Sequence, residues 1–176
     1  MTKINTLNIF IQDIKKALKN DCYFGALALA LTLPDICGKI IYPELDGSKK
    51  GDVRKRYVRC FDFFIGQYER NITENKDVIL PYLDGELCYE LRCALFHQGE
   101  NSLEKRKIKN FTLNKFTLII EKHNEFEIYC DSSSSNGSLS INIRNLCNKI
   151  VWTFEHALRT AFFEESKLPY LNIVEY

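Results

Sequence analysis

Residues 90–101 read ELRCALFHQGEN, and the interpretation of the whole chain starts from this stretch. Apolar side chains recur at helical spacing as far as Phe96, which predicts the last turns of a buried helix. Gly99 is a typical residue for ending such a helix. The same stretch carries Arg92 and, five positions later, His97, so the question is whether these two side chains act together chemically.

Arg92 is the unexpected residue in this helix. With about 100° between successive residues, it shares one side with Leu91 and Leu95 and so interrupts an apolar stripe. A cation buried alone costs several kcal/mol, so it needs an anionic partner or an aqueous groove. The sequence offers Asp35 and Asp84 as partners, and either residue is equally suited to capping its own helix.

His97 lies in the last turn of the same helix, where the helix dipole favours a protonated imidazole. Such a histidine suits proton transfer, and a guanidinium beside it suits a phosphate that gains negative charge. Five positions on an ideal helix leave the two side chains about 140° apart. They converge only if the helix unwinds before Gly99 or if a second copy of the chain completes the groove. The alternative, in which Arg92 pairs with an acid and His97 caps the helix, stays open.

The composition is that of an ordinary soluble domain. A length of 176 residues suits a single domain over residues 1–176. With 45% apolar and 27% charged residues, a disordered chain is excluded. The 24 basic and 23 acidic residues leave a net charge of +1, so any binding of nucleic acid would depend on local basic clusters.

The apolar spacing predicts about five antiparallel helices. They fall in four regions, at about residues 3–42, 52–69, 84–98 and 144–166, and Pro34 should break or kink the first region. These helices predict a mainly α fold, a helical bundle.

Between the third and fourth helical regions the hydrophobic period changes from that of a helix to that of a strand. Residues 116–120 and 126–130 each alternate, with KHNE between them as a turn, and residues 139–143 alternate again. This pattern predicts a small antiparallel insertion at about residues 110–143, made of a β-hairpin and a third strand.

The cysteines and the longest apolar run both indicate a cytoplasmic protein. Seven cysteines, an odd number without any CxxC pair, predict reduced thiols. The run YFGALALALTL at residues 23–33 is too short to cross a bilayer and predicts a buried core helix. Because no Cys/His cluster has zinc spacing and no phosphate-binding loop or dinucleotide fingerprint occurs, we expect neither a metal nor a cofactor.

The motif RCALFH, from Arg92 to His97, fits the Arg-x4-His signature of the HEPN superfamily. The segments ALALTLPDICG, KRYVRCFDFF and LDGELCYELRCALFHQGEN together look like a bacterial HEPN branch carried on plasmids and mobile elements. The likeness covers roughly residues 5–100 and the last helix. It implies a helical bundle that dimerises and brings two motifs into one cleft. Many such proteins are metal-independent endoribonucleases of toxin–antitoxin and phage-defence systems.

The resemblance also implies roles for the two residues. His97 would act as general base or acid on the ribose 2′-hydroxyl and the leaving group, while Arg92 would stabilise the phosphorane. The implied partners are a second copy of the chain, RNA and, in toxin–antitoxin systems, an antitoxin protein. Cys93 stands after the arginine, where the nuclease families usually carry a polar residue. The alternative is therefore a non-catalytic HEPN dimer that binds RNA, a nucleotide or a partner protein.

Two basic clusters are candidate contacts for RNA. One lies between Lys49 and Arg59, and the other between Lys105 and Lys109. Within them we single out Lys55, Arg59, Lys105, Arg106 and Lys107. For each cluster the alternative is an ordinary solvated face.

Overall fold

The computed structural model describes residues 2–66, 83–98, 102–108, 111–120, 128–131, 137–160, 162–164 and 167–173. At 2–4, 97–98, 102–108, 111–112, 128–131 and 172–173 only the backbone is described. The described chain is mainly helical and carries two small sheets, so the predicted fold class is confirmed at this level.

Six α-helices form the bundle in the described part of the chain. They are α1 (Thr6–Lys19), α2 (Tyr23–Ala30), α3 (Leu33–Ile41), α4 (Asp52–Phe64), α5 (Gly85–Cys93) and α6 (Ile143–Arg159). Short polar side chains cap several N-termini, and the backbone N–H of Leu87 donates to the Asp84 carboxylate at 2.8 Å at the start of α5. Pro34 occupies the first turn of α3, where its missing N–H breaks no helical hydrogen bond.

The predicted apolar stripes form the core. Leu7, Ile11 and Ile14 of α1 are fully buried, as are Leu146, Ile150 and Phe154 of α6. Residues Tyr23–Ile41 are long and apolar enough, by composition, to cross a membrane. In this fold they form α2 and α3, and both helices contribute fully buried side chains, which is the packing expected of core helices.

The last helix is shorter than predicted and ends at Arg159 instead of near residue 166. The Thr160 hydroxyl donates to the His156 carbonyl at 3.0 Å, and the Phe162 N–H donates to the Ala157 carbonyl at 3.0 Å. The Phe162 bond reaches five residues back, to a carbonyl that a longer α-helix would pair with the residue four positions on. The chain turns here, and Phe163 is buried with its ring 6.1 Å from that of Phe64.

Four strands are described between α5 and α6 in the sequence. They are β2 (Ser102–Ile108), β3 (Phe111–Ile119), β4 (Ile128–Asp131) and β5 (Gly137–Asn142), and their order in the sheet is β2-β3-β5-β4. Strand β3 is antiparallel to β2 and parallel to β5, and β4 is antiparallel to β5.

The predicted hairpin between residues 116–120 and 126–130 is wrong, because β5 lies between these two strands. The reason is the burial of β5, whose six residues are all buried, so the strand takes a central place in the sheet. One of its polar residues has a partner in the neighbouring strand, since the Ser138 hydroxyl hydrogen-bonds the Thr117 hydroxyl of β3. The predicted KHNE turn lies outside the described residues.

A two-stranded antiparallel ribbon joins the beginning and the end of the described chain. Strand β1 (Thr2–Asn5) pairs with β6 (Tyr170–Ile173), and the Thr6 N–H donates to the Pro169 carbonyl at 2.9 Å. The apolar spacing instead predicts helix from about residue 3, and the predicted elements stop near residue 166. Ile4 of β1 also fits the helical spacing of Leu7 and Ile11, so the pattern does not separate this short strand from α1.

Helices α3, α4 and α5 touch backbone to backbone at two glycines. A Cβ added to Gly38 would lie 2.9 Å from the Arg56 carbonyl oxygen, and one added to Gly85 would lie 2.6 Å from the Val58 carbonyl oxygen. Side-chain carbons do not approach backbone atoms this closely. The two glycines therefore allow α4 to lie tightly between α3 and α5, the helices that carry Asp35 and Arg92.

Replacing Gly85 by alanine should destabilise the fold, because α5 must then move away from α4. We expect the free energy of unfolding to fall by about 1–3 kcal/mol, the usual cost of overpacking, measured by urea denaturation. Gly25→Ala in α2 is the control, since its Cβ meets only the Cys22 sulfur and alanine favours a helix. Equal stability of Gly85→Ala and the wild type would contradict this packing.

Candidate functional site

Three helices bring a carboxylate between two guanidinium groups. Asp35 lies in the first turn of α3, Arg56 on α4 and Arg92 in the last turn of α5. The Nε and Nη2 atoms of Arg56 each lie 3.0 Å from Oδ1 of Asp35. The Nη2 atom of Arg92 lies 3.9 Å from the other oxygen, Oδ2. The structure thus places Arg92 beside Asp35, one of the two partners offered by the sequence.

Arg56 is the main partner of Asp35 and is a structural residue. Its side chain is only 7% exposed, and its Nη1 donates to the Leu45 carbonyl at 3.0 Å. The basic residues around Arg56 predict a solvated surface position, so their pattern does not reveal this role. Its spacing of four from Asp52 and from Cys60, both buried on α4, is the signal that identifies its inward face.

The three side chains carry one surplus positive charge. Because Arg56 makes two close contacts to Asp35, the longer contact from Arg92 leaves much of the Arg92 charge uncompensated. The Arg92 side chain is 21% exposed, and its buried Nε finds no hydrogen-bond partner within the described residues. A partly buried guanidinium that is incompletely paired in this way favours the binding of a further anion.

Aromatic rings surround the Arg92 guanidinium without neutralising it. Its central carbon lies 5.9 Å from the ring centroids of Tyr57 and Tyr89 and 5.8 Å from that of Phe96. These distances are within reach of cation–π attraction, which holds the planar group in position. Phe96 is 47% exposed, so this side of the site reaches the protein surface.

Among the described residues near Arg92, the hydroxyls of Tyr57 and Tyr89 and the thiol of Cys88 do not supply a negative charge. The Tyr57 hydroxyl donates to the Leu31 carbonyl at 3.0 Å and lies 3.3 Å from the Cys88 sulfur. Burial raises the pKa of Tyr57 well above its ordinary value and raises the pKa of Cys88 to about 12. Burial also raises the pKa of Tyr89, with the Cys93 thiol adding to the effect. All three groups are therefore neutral near pH 7.

The helix changes its winding directly after Arg92. Helix α5 ends at Cys93, and Ala94–Gln98 form a π-helical turn. Because this turn has i→i+5 hydrogen bonds, it takes a smaller angular step per residue than an α-helix. Position 97 is thereby turned back toward the side of Arg92, although the His97 side chain lies outside the described residues. Turns of this kind occur frequently at functional sites.

The other candidate residues lie apart from this cluster or outside the described side chains. Asp84 caps α5 eight residues before Arg92, about 12 Å away along the helix axis. Lys55 and Arg59 are exposed on α4, and the Arg59 guanidinium lies 5.8 Å from the Tyr42 ring centroid. Lys105, Arg106 and Lys107 have their backbone in β2, and their side chains are not among those described.

Much of the first basic cluster is already paired within the described chain. The Arg54 Nε donates to Glu86 at 2.7 Å, and its Nη2 donates to Glu90 at 3.0 Å. Arg59 lies 3.9 Å from Glu44. With Arg56 buried, this cluster offers an RNA phosphate fewer free cations than its sequence indicates. Among the described residues, no group of three or more His, Cys, Asp or Glu side chains could hold a metal ion.

Comparisons with known proteins assign this chain to no family. No protein-family model, curated protein or solved structure matches it. The HEPN resemblance therefore stays a prediction from the sequence, and function must be argued from the Arg92 site itself.

Replacing Asp35 by asparagine should leave two guanidinium groups without the carboxylate between them. We expect the free energy of unfolding to fall by about 2–3 kcal/mol. This loss is smaller than for a fully buried ion pair, because the Asp35 side chain is 25% exposed. Glu44→Gln, which removes the exposed partner of Arg59, should change stability by less than about 0.5 kcal/mol. Equal effects of the two substitutions in urea denaturation would show that Asp35 has no special role.

Proposed function

We propose that this protein is a metal-independent endoribonuclease of the HEPN type, with Arg92 and His97 in a cleft formed by two copies of the chain. A toxin or phage-defence role fits this activity. The observation that carries the proposal is the charge state of Arg92. Asp35 is mainly engaged by Arg56, so Arg92 keeps a positive charge for a phosphate. The π-helical turn that contains position 97 begins two residues later.

The proposed reaction is an internal transfer on the RNA backbone. The His97 imidazole removes the proton from a ribose 2′-hydroxyl, whose oxygen attacks the adjacent phosphorus. The bond from phosphorus to the 5′-oxygen breaks, and a second imidazole, His97 of the other copy, returns a proton to that oxygen. The products are a 2′,3′-cyclic phosphate and a 5′-hydroxyl, and no metal ion takes part.

Arg92 stabilises the negative charge that the phosphorus oxygens gain in the transition state. A guanidinium suits this role because it stays charged and offers paired donors to two oxygens. The three aromatic rings lie 5.8–5.9 Å from its central carbon and limit its movement before RNA binds, which lowers the cost of reorganisation.

A second candidate is a non-catalytic HEPN-like dimer that binds RNA, a nucleotide or a partner protein. One observation favours it. The Arg92 side chain is only 21% exposed and lies among three rings and Asp35, as a purely structural arginine would. This candidate keeps the fold and the dimer but involves no proton transfer.

A cytoplasmic location belongs to the same proposal. The described cysteines are free, and Cys37, Cys60, Cys88 and Cys147 are buried among core side chains. Such thiols suit a reducing compartment, where RNA would be accessible to the protein.

The purified protein should cut single-stranded RNA in the presence of EDTA and leave 2′,3′-cyclic phosphate ends. We expect Arg92→Ala and His97→Ala each to lower the cleavage rate by about 10²-fold or more, because each removes a group acting in the transition state. Arg54→Ala is the matched control, since Arg54 also lies over the Tyr89 ring but is paired with Glu86 and Glu90.

The possible outcomes separate the two candidates. If His97→Ala cuts RNA as fast as the wild type, the catalytic proposal is wrong. If the wild type does not cut RNA but binds it, and Arg92→Ala abolishes this binding, the non-catalytic dimer is the better candidate. Light scattering gives the mass of the particle in solution, and a monomer at all concentrations would rule out both dimeric candidates.

A further inference from the structure

A cavity of about 570 Å³ lies beside Asp35. It is lined by residues of α1, α3 and α4 and by the residues that directly precede β6. Asp35 and Arg56 both line it, and Thr6 and Pro169 contribute from the ends of the β1–β6 ribbon. This volume falls within the range of about 300–1,000 Å³ typical of small-ligand sites. Neither the RNA chemistry nor the pairing of Asp35 with Arg92 accounts for such a cavity.

The walls of the cavity are mainly apolar. Ile36 and Ile40 line it from α3, Pro43 follows that helix, and Pro169 precedes β6. These four side chains offer a water-excluding surface of rigid rings and branched chains. An apolar body of a ligand would gain free energy by leaving water for this surface.

The charged side chains of the lining are mostly cationic. The lining contains three cationic side chains, Lys39, Arg56 and Lys167, and one carboxylate, Asp35, which already binds Arg56 at 3.0 Å. Lys167 is paired with Glu164 at 2.8 Å on the exposed surface. Lys39 makes no ion pair within the described residues. Even when Glu164 is counted, positive charge exceeds negative charge here, which favours an anion.

Thr6 also forms part of the wall of this cavity. Thr6 lines the cavity, and its Oγ1 is buried without a hydrogen-bond partner among the described residues. The Thr6 N–H is already used by the Pro169 carbonyl at 2.9 Å. Because almost none of the Oγ1 surface is accessible, Thr6 contributes to the wall of the cavity and does not supply a hydrogen bond to a ligand.

We infer that this cavity binds a small organic anion, a carboxylate or a phosphate ester, with an apolar body. The body lies against the isoleucine and proline side chains, and the negative head group is met by Lys39. This binding site goes beyond the proposed RNA cleavage, and because binding is measured directly its test does not require the protein to cut RNA.

Isothermal titration calorimetry with octanoate and with phenyl phosphate tests the inference and separates the two head groups. At least one anion should bind saturably with one site per chain, and its neutral analogue, octanol or phenol, should bind about tenfold more weakly or not at all. Lys39→Glu should lower the affinity about tenfold by reversing a charge at the cavity. Lys19→Glu, an exposed lysine at the far end of α1 from Thr6, is the matched control and should bind as the wild type does.

Two further variants fix the location of the site. Ile40→Trp fills the cavity without changing charge and should abolish binding, with circular dichroism confirming the fold. Trp152→Ala alters a second groove, lined by Phe63, Phe162 and Trp152, and should leave binding unchanged. The inference is overturned if neither anion binds, if neutral analogues bind equally well, if Lys39→Glu has no effect, or if Trp152→Ala abolishes binding.

Discussion

The carboxylate of Asp35, placed between the guanidinium groups of Arg56 and Arg92, is the interaction on which this structure most depends. Its two close contacts with Arg56 join α3 to α4, and its longer contact with Arg92 reaches α5. Glycines at positions 38 and 85 let these helices approach closely enough for the three side chains to meet. One carboxylate cannot neutralise two cations, so the same interaction that stabilises the helices also leaves Arg92 charged. The surplus positive charge of these three side chains therefore links the packing of the helices to the proposed binding of a phosphate.

The helices could be predicted from the sequence, whereas the strand order could not. Helical periodicity depends on neighbours three and four positions away, so the stripes of α1 and α6 are visible in the sequence itself. Alternation in residues 139–143 likewise predicts a strand but does not say which strands lie beside it. Both faces of β5 are buried, which is typical of a strand in the middle of a sheet. Because parts of the chain that are distant in sequence bury these faces, the local pattern does not predict this position. The four-residue strands β1 and β6 depend wholly on each other.

The site was predictable in part. Arg92 is conspicuous because a cation interrupts an apolar stripe, and Asp35 was one of its two proposed partners. Arg56 was missed because it lies in a run of basic residues that looks solvated, although its spacing from Asp52 and Cys60 gives an inward face. The π-helical turn at Ala94–Gln98 has no sequence signature that we can identify, since it differs from an α-helix by one step in hydrogen-bond register. It is nevertheless the feature that brings position 97 nearer the side of Arg92.

The central claim is that the Arg92 charge is available to a phosphodiester. Nitrogen-detected NMR of the arginine side chains tests it directly, with the Arg92 signal assigned by its loss in Arg92→Lys. The titrant is a dinucleotide with a 2′-deoxyribose at the cleavage position, which binds but cannot be cut. We expect the Arg92 Nε resonance to shift with dinucleotide concentration while that of Arg56, already held by Asp35 and Leu45, moves little. An Arg92 resonance that stays in place while the dinucleotide binds, or a dinucleotide that does not bind at all, would contradict the account.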